Sequence, residues 1–104
     1  FCMSFGYMHK ILIVDLTRGE CSIQSTGPQE GTLQKYLGGT GLAAKYLYDE
    51  LRPGADPLGP ENVLIFMTGP FCGTPIPCSG RHTVAAKSPL TGFWGESDCG
   101  GHWG

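Results

Sequence analysis

Glycine and proline punctuate this chain so densely that it has to turn often. Seventeen of the 104 residues are glycine and eight are proline, against average usage of about 7% and 5%. The glycines follow no period, and 40% of the residues are apolar, so neither a collagen-like nor a disordered chain fits. What fits is a folded unit with many tight turns, or one whose backbone must approach a ligand closely. A chain of this size buries roughly 60–70% of its unfolded surface, enough for one modest core.

The formal charge of −2 gives no basic face for nucleic acid. Lysines and arginines are scattered, with no polybasic run for a membrane surface. The longest apolar runs, "ILIV" and "VLIFM", fall far short of the ~20 residues of a membrane helix. No charged segment followed by an apolar stretch opens the chain, so no secretory signal is expected; Phe1 in place of Met points to a processed or trimmed start. The expectation is a soluble, cytoplasmic protein. Cysteines stand at 2, 21, 72, 78 and 99, an odd count without a C-x-x-C pair. They read as reduced thiols rather than a disulfide framework, a zinc site or a cluster site.

Residues 8–16, "MHKILIVDL", read as a buried strand, "TRGE" as a turn and "CSIQS" as the return strand of a hairpin. Residues 27–31 read as loop, and "TLQKYL" (32–37) as short and helix-compatible. "GGTG" precedes the best helix, 42–51, where Ala43, Leu47 and Leu51, with Tyr46 alongside, form a stripe at helical spacing. Pro53 and Gly54 stop it. "VLIFMTG" (63–69) reads as a buried strand, and the proline-rich 70–80 as irregular. "RHTVAAK" (81–87) and "GFWGES" (92–97) read as strands joined by the "SPLTG" turn, with a possible further helix at the final glycines. The order ββαβββ, dominated by adjacent hairpins, predicts an α+β class with mostly antiparallel sheets and one or two short helices. No linker or repeat divides residues 1–104, which form one unit.

Several stretches admit chemistry. "GGTGL" before a helix admits an anion-binding loop, but the Walker and dinucleotide patterns are absent; a helix–helix turn is favoured. Arg81 follows a loop and opens an apolar strand. Its guanidinium, always charged and forked, suits a phosphate, a carboxylate or an electron-rich heterocycle, while a strand-end arginine snorkelling into water is the plain alternative. Lys87 belongs first to a turn. His82 and His102 are acid–base groups by type alone, and His82, on a strand, reads as structural. Cys72 and Cys78 bracket a rigid loop without implying a site, and Trp94 and Trp103 read as core or interface anchors. The terminal "DCGGHWG" places two glycines directly after a strand. Bare backbone there can hold a phosphate by its N–H groups and a hard cation such as Mg²⁺ by its carbonyls; a plain glycine turn is the alternative.

Together, "ILIVDLTRGE", "YLGGTGLAAKYLYDEL" and "DPLGPENVLIFMTGPFCGTPIPCSGRHTVAAKSPLTGFWGESDCGGHWG" resemble the N-terminal domain of the aldehyde ferredoxin oxidoreductase family, over nearly the whole chain. The resemblance implies tungsten (sometimes molybdenum) bis-pterin enzymes, whose N-terminal domain is a base of two antiparallel sheets beneath the twin pterin, closed over by helical domains. It implies that this chain is the first part of that base, cut short at its end. By the same resemblance, Arg81 matches an arginine that hydrogen-bonds the pterin and links it to the neighbouring iron–sulfur cluster. Asp98 stands where the family usually has Asn, whose backbone carbonyl helps hold the Mg²⁺ bridging the pterin phosphates. Gly100 matches a glycine touching the cofactor, with Cys99 and Gly101 beside it. The [4Fe-4S] ligands, the catalytic residues and the second pterin loops would lie downstream. No catalytic residue is therefore expected among these 104, and no activity from them alone. The whole enzyme would oxidise an aldehyde to a carboxylic acid, pass electrons to ferredoxin and form a homo-oligomer. The rival reading is a non-catalytic module or subunit that docks onto a separate catalytic chain.

Overall fold

A computed structural model describes residues 6–26 and 30–103. Most of the loop expected at 27–31 lies outside these residues, as do Cys2 and Gly104. The class is the expected α+β: two antiparallel sheets and two helices, one more helix than the anticipated order.

Strand β1 (Lys10–Asp15) pairs antiparallel with β2 (Glu20–Ser25). Asp15 sets the turn between them by accepting, at Oδ1, the backbone N–H groups of Thr17 and Arg18 at 3.0 and 3.2 Å, an Asx turn. The buried strand expected at 8–16 is corrected. It is shorter, and Leu12, Val14, Leu16 and Ile23 are exposed, because a two-stranded ribbon has no second layer to cover it.

Helices α1 (Glu30–Tyr36) and α2 (Gly39–Glu50) follow. Leu37 and Gly39 take left-handed φ of 63° and 54°, and a Cβ on Gly38 would stand 2.8 Å from the Thr68 carbonyl oxygen. The glycines thus make the expected helix–helix turn, and Gly38 adds a close approach to the Thr68 backbone that was not expected. α2 starts three residues before the apolar stripe, since its first turn packs on the sheet through Thr40 rather than through an apolar side chain.

Strands β3 (Ile65–Thr68), β4 (Arg81–Lys87) and β5 (Trp94–Gly100) form a meander in that order. α2 crosses one face. Leu42, Ala43 and Leu47 of the helix, with Ala85 of β4, Leu33 and Ala55, are the buried apolar residues, and Thr83 is buried among them. Alternation in "RHTVAAK" sends Thr83 and Ala85 to this face and His82 and Val84 to the other. The proline-rich loop between β3 and β4 is tied internally: Cys72 Sγ lies 3.1 Å from the Ser79 carbonyl and 2.9 Å from that of Arg81, and Ser79 Oγ donates to Ile76 O at 2.8 Å.

β5 departs from expectation. It was to end at Ser97, with the glycines beyond it, but its ladder with β4 continues to the pair Arg81–Gly100. Asp98, Cys99 and Gly100 are strand residues, carried by pairing rather than by propensity. A short 3-10 turn (Gly101–Trp103) stands where a further helix was anticipated.

Candidate functional site

The phase of the β4–β5 ladder decides which backbone groups are free. The Ser88 N–H donates to the Phe93 carbonyl at 2.7 Å, so the doubly bonded pairs fall at every second position from there, reaching His82–Cys99. Asn62 checks this independently. Its Oδ1 accepts the Lys87 N–H at 3.3 Å and its Nδ2 donates to the Lys87 carbonyl at 3.1 Å, so the odd-numbered residues of β4 face the opposite neighbour. Cys99 therefore turns its main chain inward to His82. Glu96, Asp98 and Gly100 turn theirs outward, along the open edge of the sheet.

Beside that edge lies a groove of about 360 Å³. Gly39 and Thr40 of the first turn of α2 line it, together with Gly69, Cys72, Arg81, Thr83 and Asp98. Arg81 is exposed and forms no ion pair among the described residues; the ion pairs join Arg18 to Asp15, Lys45 to Asp49 and Arg52 to Glu61. Its Cγ and Nε run over Gly100, each 3.6 Å from where a Cβ would be. Neither a left-handed φ nor crowding requires glycine at 100 or at 69, where a Cβ would meet nothing within 4 Å. At Gly69 the fold leaves bare backbone on a wall of the groove without needing it, while Gly100 lies under the Arg81 side chain. An unpaired guanidinium, N–H donors and outward carbonyls are a donor set for a phosphorylated ligand with a hard cation, and the room above Gly69 lets it reach the chain.

Of the expected residues, Arg81 and Asp98 line this groove, and Gly100 lies beneath the Arg81 side chain next to it. Gly101, at φ 71°, turns the chain away after the strand. Cys99 points to the opposite face of the sheet, with its Sγ 3.9 Å from the Gly100 carbonyl. His82 is also on that face, its ring 6.4 Å from that of Phe66, and His102 and Trp103 are exposed beyond it. Lys87 donates to the Ala55 carbonyl at 2.6 Å, a structural tie. Trp94 borders a larger groove, about 660 Å³, at the other end of the sheet with Tyr48 and Phe93, far along β4 from Arg81. Arg81, the unpaired charge, lines the smaller groove, and we place the candidate site there.

Residue-by-residue reading missed Thr40, Thr83 and Glu96. Thr40 Oγ1 donates to Glu96 Oε1 at 2.7 Å, and Thr83 Oγ1 to Asp98 Oδ1 at 2.8 Å. The only available signal was strand alternation, which puts residues 81, 83, 96 and 98 on one face once the pairing is known.

Fold and groove together define an α+β unit with a cleft lined by an exposed, unpaired guanidinium and by the bare backbone of Gly69. The family profile "Aldehyde ferredoxin oxidoreductase, N-terminal domain" matches residues 11–104. Similar proteins include the tungsten-containing aldehyde ferredoxin oxidoreductases of Pyrococcus abyssi, 45% identical over 100 residues, and of Thermococcus kodakarensis, 44% identical over 100 residues. An aliphatic sulfonate oxidoreductase, WOR-like subunit, of Pyrococcus furiosus is 40% identical over 89 residues, 82% of this chain and 14% of that protein. Among solved structures, the active-site complex BamBC of benzoyl coenzyme A reductase, in complex with 1,5-dienoyl-CoA, superposes with a TM-score of 0.85 at 38% identity, over 92% of this chain and 14% of that one. The chain belongs to the aldehyde ferredoxin oxidoreductase family, as its N-terminal domain. It spans 16% of the length of the two aldehyde oxidoreductases and they match 96% of it.

Proposed function

We propose that these residues are the tungstopterin-cradling segment of an aldehyde:ferredoxin oxidoreductase-like enzyme in the cytoplasm. The carrying observation is that the unpaired Arg81 and Asp98, whose main chain turns outward, line one groove, with Gly100 beneath the Arg81 side chain. Arg81 donates to the pterin. The Asp98 carbonyl would be a ligand for a Mg²⁺ held with the pterin phosphates, and Gly100 would offer bare backbone beside Arg81, whereas Cys99 bonds its main chain to His82 and Gly101 turns the chain away. Asp98 in place of the family's usual Asn costs nothing in this role, because the side chain is engaged by Thr83 and the ligand is the carbonyl.

When bound, the tungsten (or molybdenum) bis-pterin supplies the redox chemistry: an aldehyde and water become a carboxylic acid, releasing two protons and two electrons. A [4Fe-4S] cluster would carry the electrons to ferredoxin. Its ligands are not assigned to these residues, among which no group of three or more His, Cys, Asp or Glu is placed to hold a metal in the described part. The segment binds and orients; alone it has no activity, and the enzyme acts as a homo-oligomer.

The test is anaerobic purification of the complete gene product with tungsten, molybdenum and pterin measured per polypeptide. The expected result is a stoichiometric group-six metal with pterin, and a loss of about tenfold or more in retention for Arg81→Ala, the scale of a lost hydrogen bond from a charged donor. Full retention in Arg81→Ala would remove its role.

A further inference from the structure

We propose that Thr40 and Thr83 are positioning residues that hold the open edge of β5 in the heading its ligand needs, a role that rests on the cofactor reading above. The first turn of α2 and the sheet meet at four polar groups. Thr40 Oγ1 donates to Glu96 Oε1 at 2.7 Å, and Thr83 Oγ1 donates to Asp98 Oδ1 at 2.8 Å, with the two threonine oxygens 3.4 Å apart. A hydroxyl has one proton to give. With both given to carboxylates, the contact between the threonines carries none, and the set is closed: two donors, two charged acceptors, each bond of the stronger, charge-assisted kind.

The consequence is directional. Glu96 and Asp98 lie two apart on one strand, so their side chains share the α2 face while their main chains share the open edge. Tying Glu96 to Thr40 of α2 and Asp98 to Thr83 of β4 fixes the rotation of β5 about its own axis, and with it the heading of the Asp98 carbonyl. It also keeps two negative groups from swinging to an edge that receives phosphate. Trp94 adds a third hold, its Nε1 donating to Glu96 Oε2 at 2.8 Å. Packing alone does not call for threonine at 83. The position is 6% exposed, and valine would fill the same space among Ala85, Leu42 and Ala43 without a proton to place.

Thr83→Val, Thr83→Ser and Thr40→Val in the complete gene product separate these roles, read by tungsten and pterin per polypeptide after gel filtration, by amide hydrogen exchange along β5, and by melting temperature. Thr83→Val should release cofactor about tenfold more readily, the fold-change of one hydrogen bond to a charged acceptor, and speed exchange at the paired amides of Ser97 and Cys99. Thr83→Ser should restore both, which a purely space-filling role would not produce. Thr40→Val, at an exposed hydroxyl, should move the same readouts in the same direction and decides the matter should Thr83→Val not fold. A loaded wild type with equally loaded Thr83→Val and Thr40→Val overturns the positioning role while leaving the cofactor reading intact. A wild type without pterin overturns both.

Discussion

A Cβ placed on Gly100 would meet Arg81 at 3.6 Å, an ordinary contact, whereas one placed on Gly38 would press to 2.8 Å on the Thr68 carbonyl oxygen and 2.9 Å on the Gly69 Cα. The fold therefore demands glycine at 38 and not at 100, where the proposed ligand would. Gly38→Ala should destabilise by about 1–3 kcal/mol, the range for overpacking against backbone that cannot yield. Gly100→Ala should leave the denaturation midpoint unchanged or slightly higher, since alanine narrows the unfolded ensemble, and should lower cofactor retention instead. Denaturant melts of both variants beside a pterin assay check this; equal destabilisation by the two would contradict it. Arg81 and the glycines were legible from residue type, because a charge at a strand end and bare backbone are properties of single positions. Thr40 and Thr83 were not: they stand 43 residues apart, and a threonine in a strand reads simply as a β-former.

Among the elements, β4 was legible residue for residue because the proline-rich loop before it and the "SPLTG" turn after it bound it, and α2 because its stripe repeats at helical spacing. β5 was not. Glycine and aspartate are poor strand formers, and only the register with β4 extends it to Gly100. The exposure of β1 was equally hidden, since apolar residues announce a wish for burial but not the layer that supplies it. α2 carries its own pH signature. Lys45 has its pKa raised, first by its hydrogen bond to Asp49, and Tyr46 has its pKa raised by burial. Both groups hold their protons more tightly when folded. Their contribution is therefore whole below the ordinary values of 10.5 and 10.0 and is lost as pH climbs through the raised ones. Helix content followed at 222 nm in mild denaturant should be flat from neutral pH to about 10 as far as these two groups decide it, then fall. A fall that begins near neutrality and disappears in Lys45→Ala would contradict the sign.

At the scale of the molecule, the surface is too large for its mass. An accessible area of 7923 Å² compares with roughly 5,700 Å² for a monomeric protein of this size, and the radius of gyration of 14.6 Å with about 13 Å. The apolar share of that excess includes Leu12, Val14 and Ile23 on the ribbon, Phe66 on the sheet face away from α2, and Leu64 and Phe93 next to the strands. Exposed apolar surface on this scale marks an interaction face. Residues 1–104 produced alone should self-associate and bind a hydrophobic dye, which light scattering and fluorescence would show; a stable, dye-silent monomer would contradict the open architecture. No helix among the described residues is long and apolar enough to cross a membrane, so a bilayer-spanning helix does not account for that surface.

The central claim is that the outward carbonyl of Asp98 is a ligand. The most direct measurement is the distance from that oxygen to the cation in a crystal structure of the complete, anaerobically purified gene product. The account predicts Mg²⁺ at about 2.0–2.1 Å, with Arg81 in hydrogen-bonding reach of the pterin. A cofactor seated elsewhere, with the edge of β5 facing water or pairing another strand, would contradict it.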